Sequence, residues 1–168
     1  MTDTDSSEKF FEYKNEIYPS YLKSGNANAY VEPFAKMFCS GNGLDIGGFS
    51  DWVFPGARAV NILNDDEWDA YKLPGSGYDY IFSSHTLEHL HDYVGALEYW
   101  RDSIKDEGIL FLHLPHPDME YWLPQNNRKH LHIFRPEDIA KTLRDLGFKN
   151  VIQSERDLGW SFTVVGQK

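Results

Sequence analysis

The sequence predicts a mixed α/β fold, a mostly parallel sheet with helices packed on it that ends in an antiparallel hairpin. Short apolar runs of strand length alternate with longer stretches of helical spacing, and this alternation predicts parallel strands joined by crossovers. Gly47 and Gly48 directly follow the first run, as expected for a buried strand that ends in a tight turn. Two final apolar runs flank a turn at 157–159, which predicts the closing hairpin.

In chain order the predicted elements are helices at 8–21 and 28–38, strands at 43–46, 59–63 and 78–83, a helix at 92–105, a strand at 109–114, a helix at 136–146, and strands at 148–154 and 160–165. The helix at 92–105 has apolar residues at helical spacing and Asp92 as its cap. The helix at 136–146 starts on a proline and is followed by Gly147. The stretch between Ser50 and Asp79 is too short for two crossovers of roughly a dozen residues each, so we expect the first half to lack a helix and a strand.

The length and composition limit the class of protein. A chain of 168 residues fits one compact domain, in which we expect 1–40 to be a helical lid and 41–168 the α/β part. The net charge of −10 argues against nucleic acid and anionic membranes as partners. Cys39 is the single cysteine, which favours a reducing compartment. Neither a signal peptide nor an apolar run of ~20 residues is evident, so we expect a cytoplasmic protein.

Two motifs lie where a parallel sheet binds ligands, beyond the carboxyl ends of its strands. The first is the glycine turn in Leu44-Asp45-Ile46-Gly47-Gly48, where a ligand can approach the backbone closely. The second runs through Phe82-Ser83-Ser84-His85-Thr86-Leu87-Glu88-His89-Leu90 into the helix at 92–105. Together they resemble the class I S-adenosylmethionine-dependent methyltransferases, particularly the bacterial small-molecule members, over roughly residues 41–166. That resemblance implies a Rossmann-like fold.

The resemblance also implies a set of cofactor-binding residues. In that family the glycine turn, here Gly47 and Gly48 after Asp45, cradles the methionine part of S-adenosylmethionine. By the same resemblance, Asn64 and Asp65 are expected at the ribose, and Asp69 and Ala70 at the adenine. Ser83, Ser84 and His85 are expected at the rim of the pocket. His116, after the strand at 109–114, and His130 are expected to face the cavity and are the candidate general bases, since an imidazole accepts protons near neutral pH.

The expected function is methyl transfer to a small molecule, at oxygen and perhaps on a sugar, by a monomer or homodimer. Phe49 and Asp51 stand where the family usually has glycines, so the alternative is a catalytically degenerate protein that binds a cofactor or partner. His85-Thr86-Leu87-Glu88-His89 has the His-x-x-Glu-His spacing of one group of zinc peptidases. We expect no metal, because that motif needs a helix and here follows a strand directly. A nicotinamide enzyme is disfavoured, since the glycine spacing does not match a dinucleotide fingerprint.

Overall fold

A computed structural model of the chain describes residues 10–23, 28–49, 52–64 and 67–168. The strands are β1 (Phe10–Tyr13), β2 (Glu16–Pro19), β3 (Gly43–Ile46), β4 (Ala57–Val60), β5 (Tyr78–Ser84), β6 (Ile104–Pro115), β7 (Lys149–Gln153) and β8 (Ser161–Gln167). The α-helices are α1 (Asn28–Ala35), α2 (Tyr93–Ser103) and α3 (Pro136–Asp145), and short 3-10 turns span Ser20–Lys23, Leu87–His89 and Glu120–Trp122. Within these ranges no helix is both long and apolar enough to cross a membrane.

The main sheet has six strands in the order β4-β3-β5-β6-β8-β7. The first four run parallel, and β8 and β7 are antiparallel to their neighbours. The predicted fold class, a mostly parallel sheet with a C-terminal antiparallel hairpin, is therefore confirmed. Because β3, β4 and β5 are parallel, their carboxyl ends meet at one edge of the sheet.

The first half of the sheet is reduced, as expected. The described residues between β3 and β5 hold one strand, β4, and no helix. The strand predicted at 59–63 is shifted, because β4 pairs with β3 from Ala57 to Val60 and the chain turns away at Asn61. Two consecutive loops therefore replace packed crossovers beside the ends of β3 and β4.

The predicted helix at 8–21 is wrong. Within 10–19 the chain forms an antiparallel hairpin of β1 and β2. Lys14 and Asn15 have φ values of 50° and 67°, the positive angles that a two-residue hairpin turn needs and a helix forbids. Phe11 pairs across the strands with Tyr18, their ring centroids 5.5 Å apart. Cross-strand aromatic packing of this kind outweighs helical propensity here.

The core lies on both faces of the sheet, and the alternation of side chains along the central strands divides it. Ile81 of β5 points to the face covered by α2 and α3, where Trp100 is fully buried. Tyr80 and Phe82 point to the opposite face, against Ala35 of α1. The helix α2 begins as predicted, its Asp92 side chain accepting a hydrogen bond from the Gly95 amide at 2.9 Å. These two layers fix the strand ends that form the site.

Candidate functional site

A cavity of about 630 Å³ opens at the carboxyl ends of β3, β4 and β5. This is the edge at which parallel sheets bind ligands. Its lining residues come from five segments: Ile46, Gly47, Val60, Asn61, Ile62, Leu63, Asp69, Ala70, Tyr71, His85, Thr86, His89, Leu90, His91, Arg128, Lys129 and Leu131. Four residues of the predicted cofactor set are among them, namely Gly47, Asp69, Ala70 and His85.

Gly47 forms the floor of the cavity in a conformation that favours glycine. Its φ is +101°, and its amide donates to the Val60 carbonyl at 2.8 Å. A Cβ at this position would lie 1.8 Å from Oγ1 of Thr86. That hydroxyl lies 3.1 Å from the Ile46 carbonyl and 3.1 Å from the Ser84 carbonyl, so the fold holds it against the glycine. The absence of a side chain lets β3 and β5 end side by side.

Asp45 lies under the glycine turn and not on the cavity wall. Its Oδ2 accepts a hydrogen bond from the Phe54 amide at 2.7 Å, and it closes the loop between β3 and β4. Burial raises the pKa of Asp45 to about 7, opposed by the hydrogen bonds from the Phe54 and Gly48 amides. Gly48 packs on the same carboxylate, since a Cβ there would lie 2.7 Å from Oδ2. Asp45 and Gly48 therefore support the turn without lining the cavity.

The end of β4 differs in register from the predicted position. Asn61 is the first residue after the strand, and its Nδ2 donates to the Gly47 carbonyl at 2.9 Å. Asn64, predicted for the ribose, comes one turn later and is outside the lining of the cavity. Asp65 falls outside the described residues. The strand ends three residues earlier than predicted, so Asn61 takes the place that the sequence assigned to Asn64.

Asp69 and Ala70 line the opposite wall. Oδ1 of Asp69 accepts a hydrogen bond from the Tyr71 amide at 2.7 Å. Nε1 of the buried Trp100 donates to the Ala70 carbonyl at 2.8 Å, which fixes this loop on α2. Beside them Ile62 and Leu63 expose apolar side chains at the mouth of the cavity.

The residues at the end of β5 and just beyond it have different partners. Ser83 is buried and donates to the Ile46 carbonyl at 2.9 Å, while Ser84 Oγ lies 2.9 Å from His113 Nδ1 inside the sheet. His85 lines the cavity with a φ of +49°, and its Nε2 is 2.9 Å from Ser161 Oγ. Burial and the neighbouring imidazoles lower the pKa of His85 well below its usual value. At neutral pH His85 is therefore uncharged.

A cluster of imidazoles surrounds one buried carboxylate at this end of the cavity. Oε1 of Glu88 lies 3.8 Å from Nδ1 of His85, 3.8 Å from Nε2 of His89 and 3.8 Å from Nε2 of His130. The Glu88 side chain is fully buried, and neither carboxylate oxygen has a hydrogen-bond partner among the described residues. Burial raises the pKa of Glu88 to about 8. The cluster was not predicted as a unit, since His130 is distant in sequence.

Neither predicted base is among the described residues that line the cavity. His116 lies beyond β6, where its Nδ1 accepts a hydrogen bond from the Asp118 amide at 3.2 Å. His130 is buried behind His89, their rings 4.8 Å apart, and burial lowers its pKa to about 4. The sequence reasoning missed Asn61, Thr86, Arg128 and Lys129 as lining residues. The motif after β5 signals Thr86, but nothing local places 128–129 at the cavity.

Comparisons with known proteins identify the family. A family model described as a methyltransferase domain matches residues 25–153. The chain belongs to this family, and the prediction of an S-adenosylmethionine-dependent methyltransferase with a Rossmann-like fold is confirmed. No curated protein matches the sequence.

Solved structures share the fold at low sequence identity. An S-adenosylmethionine-dependent methyltransferase from Thermotoga maritima, described as a possible histamine N-methyltransferase, is 15% identical with a TM-score of 0.67, covering 88% of this chain and 91% of its own. One from Archaeoglobus fulgidus is 16% identical with a TM-score of 0.65, covering 88% and 97%. The Burkholderia thailandensis 1,6-didemethyltoxoflavin-N1-methyltransferase is 16% identical with a TM-score of 0.64, covering 89% and 81%.

Proposed function

We propose that this methyltransferase acts on a hydroxyl oxygen of a small polar molecule, a sugar being one such acceptor. The observation that carries the proposal is His89 on the cavity wall, half-exposed and next to the end of β5. Its Nδ1 lies 2.7 Å from the Lys129 carbonyl and therefore carries the proton. Nε2 keeps its lone pair and lies 3.8 Å from Oε1 of Glu88, too far for a hydrogen bond, so it is free to act as a base toward a hydroxyl acceptor.

The proposed cofactor seat lies at the other end of the same cavity. Gly47 lines the cavity with bare backbone, because a Cβ there would collide with Thr86, and bare backbone fits the close approach of the methionine part. Asn61 stands where the ribose hydroxyls are expected, and Asp69 and Ala70 where the adenine is expected. Asp45, Gly48, Ser83 and Ser84 support these residues through the hydrogen bonds and contacts described above. S-adenosylmethionine supplies a methyl group on a positively charged sulfur, so the chain has mainly to align the acceptor.

The transfer step follows from this arrangement. Bound S-adenosylmethionine would supply its methyl group to the acceptor oxygen, the S–CH₃ bond breaking as the O–CH₃ bond forms, with S-adenosylhomocysteine as the leaving product. The hydroxyl proton passes to Nε2 of His89. Arg128 and Lys129 line the same end of the cavity and favour an acceptor with a negative or strongly polar substituent. His130 lies behind this surface beside His89, whereas His116 is outside the lining of the cavity.

The N-terminal segment is proposed as a cover over the acceptor end. Phe11, Tyr18 and Leu22 pack with Met119 and Trp122 in one apolar cluster. The Trp122 ring contacts His85, with ring centroids 4.7 Å apart. A monomer or homodimer that works in the cytoplasm on a small-molecule acceptor is the setting we propose.

The first test is calorimetric titration with S-adenosylhomocysteine, followed by transfer of labelled methyl to a panel of hydroxyl compounds and matched amines. We expect micromolar binding and transfer to a hydroxyl. His89→Gln should lower kcat about 100-fold and leave cofactor affinity unchanged. His132→Gln, at a histidine that does not line this cavity and whose Nε2 contacts the Leu90 carbonyl, is the matched control. Transfer to amines alone would refute the oxygen assignment, and cofactor binding without transfer to any acceptor would favour the degenerate alternative.

A further inference from the structure

We propose that Glu88, His89 and His130 form a binding site for a divalent transition-metal ion of the zinc class. One ligand atom from each residue lies within 4.8 Å of the other two. The residues come from two segments, the 3-10 turn after β5 and the loop before α3. Leu131 donates its amide to the Glu88 carbonyl at 2.8 Å, so the backbone itself holds the two segments together.

The distances suit an ion of this class. Zinc binds imidazole nitrogen and carboxylate oxygen at about 2.0–2.2 Å. Oε1 of Glu88 lies 3.8 Å from each Nε2, and three ligand atoms within 4.8 Å of one another share a point no more than about 2.8 Å from each. Movements of a few tenths of an ångström in side chains would bring each atom to a bonding distance of about 2.2 Å.

The two histidines are oriented as metal ligands usually are. A metal-binding imidazole generally donates its other ring N–H to a carbonyl or carboxylate, which turns the lone pair toward the metal. Nδ1 of His89 donates to the Lys129 carbonyl at 2.7 Å. The His130 imidazole has a hydrogen bond with the Trp122 backbone. In both residues the nitrogen that faces Glu88 is Nε2.

The carboxylate gives an independent reason for a ligand. Glu88 is fully buried, and its two oxygens have no hydrogen-bond partner among the described residues. An unpartnered buried carboxylate costs several kcal/mol if it is ionised. The three imidazole nitrogens around Glu88 do not remove that cost, because at 3.8 Å they are too far away for hydrogen bonds. A bound cation would remove it.

An ion at this site would have an open position toward the cavity. Glu88 and His130 are buried, whereas the side chain of His89 is 36% exposed and lines the cavity. This role rests on the proposed function for its acceptor, a hydroxyl compound. With the ion bound, Nε2 of His89 would be a ligand and no longer the base, so the ion would lower the pKa of the bound hydroxyl and the proton would leave to solvent. The favoured acceptor class is then a hydroxyl with a neighbouring oxygen that can also bind the ion.

The test is titration of the full, tag-free, metal-stripped chain with Co²⁺ and Zn²⁺. We expect one ion per chain, the visible absorption of four- or five-coordinate cobalt, and its displacement by zinc. Glu88→Gln and His130→Gln should weaken binding roughly 100-fold. His132→Gln, at a histidine of the same loop whose Nε2 contacts the Leu90 carbonyl instead, should bind as the original chain does.

Several results would overturn the metal site. These are a dissociation constant for zinc weaker than about 100 µM in the unmodified chain, a cobalt spectrum of the hydrated ion, or equal affinity in Glu88→Gln. Glu88 would then be a protonated buried acid. Measurements on the unmodified chain decide the matter even where a variant fails to fold. Methyl transfer by the metal-stripped enzyme would show that the ion takes no part in the reaction, and the proposed function would stand. Metal binding without methyl transfer to any hydroxyl would support the metal site and refute the proposed function.

Discussion

Gly47→Ala tests whether the floor of the cavity depends on a missing side chain. The new methyl would meet two costs. A φ of +101° is unfavourable for alanine by about 1–2 kcal/mol. The methyl would also lie 1.8 Å from Thr86 Oγ1, so the hydroxyl must leave its carbonyl partners, at about 1 kcal/mol or more for the lost hydrogen bond. We expect a loss of about 2–4 kcal/mol in the free energy of unfolding.

Gly56→Ala is the matched control for the backbone cost. Gly56 has a φ of +88° and no atom within 4 Å of an added Cβ, so this variant should lose only about 1–2 kcal/mol. Urea unfolding measures both, and calorimetry with S-adenosylhomocysteine should show at least a tenfold loss of affinity for Gly47→Ala alone.

Thr86→Ala separates the clash from the strain. In Gly47→Ala/Thr86→Ala the nearest side-chain atom is Cβ of residue 86 at 3.0 Å, so part of the steric cost disappears. A double-mutant cycle should give a favourable coupling of about 1 kcal/mol. Zero coupling, or equal destabilisation of the two glycine variants, would refute the reasoning about Thr86.

Three further predictions concern stability. Burial raises the pKa of Asp45 from 3.8 to about 7, so the protonated form favours the folded state. This contribution to the free energy of unfolding is fully present below pH 3.8 and is lost as the pH rises through about 7. In urea unfolding, Asp45→Asn should therefore lose less stability between about pH 5 and 8 than the original chain. Asp92→Ala removes the cap of α2 and should cost about 1 kcal/mol by thermal unfolding, against little change for the exposed Glu98→Ala in the same helix. Trp100→Phe removes buried volume and the hydrogen bond to the Ala70 carbonyl, so it should lower the free energy of unfolding in urea by more than about 1 kcal/mol. A smaller decrease would contradict the inference that Trp100 holds the loop at Ala70 on α2.

The elements that the sequence predicts correctly carry a local signal. Helix α2 combines an Asp92 cap with apolar residues at helical spacing, and it forms within two residues of the predicted bounds. The N-terminal segment has no such single signal. Its aromatic residues suit a helix or a hairpin equally, and the turn at Lys14 and Asn15 is decided by packing on Trp122, which lies a hundred residues away in the chain. Contacts of that range leave no trace in local spacing.

The site residues, like the helices and strands, are predictable where they carry a local sequence signal. Gly47 and His85 are predictable because each directly follows a strand whose apolar run is clear. Asn64 is not the residue at the end of β4, because the strand's last paired residue is Val60, although the apolar Ile62 and Leu63 beyond it also suit a strand. The grouping of Glu88 with His130 depends on how the loop before α3 crosses the end of β5, which sequence spacing does not encode.

The two ends of the cavity differ because the fold is asymmetric around it. On the side of β4, two loops without helices leave Ile62 and Leu63 76% and 68% exposed at the cavity mouth. Such a surface gains from being covered by a flat apolar group, which suits an adenine. On the side of β5, imidazoles surround the buried Glu88. We therefore propose that a polar acceptor binds at that end and that methyl transfer takes place where the two ends meet, near Gly47.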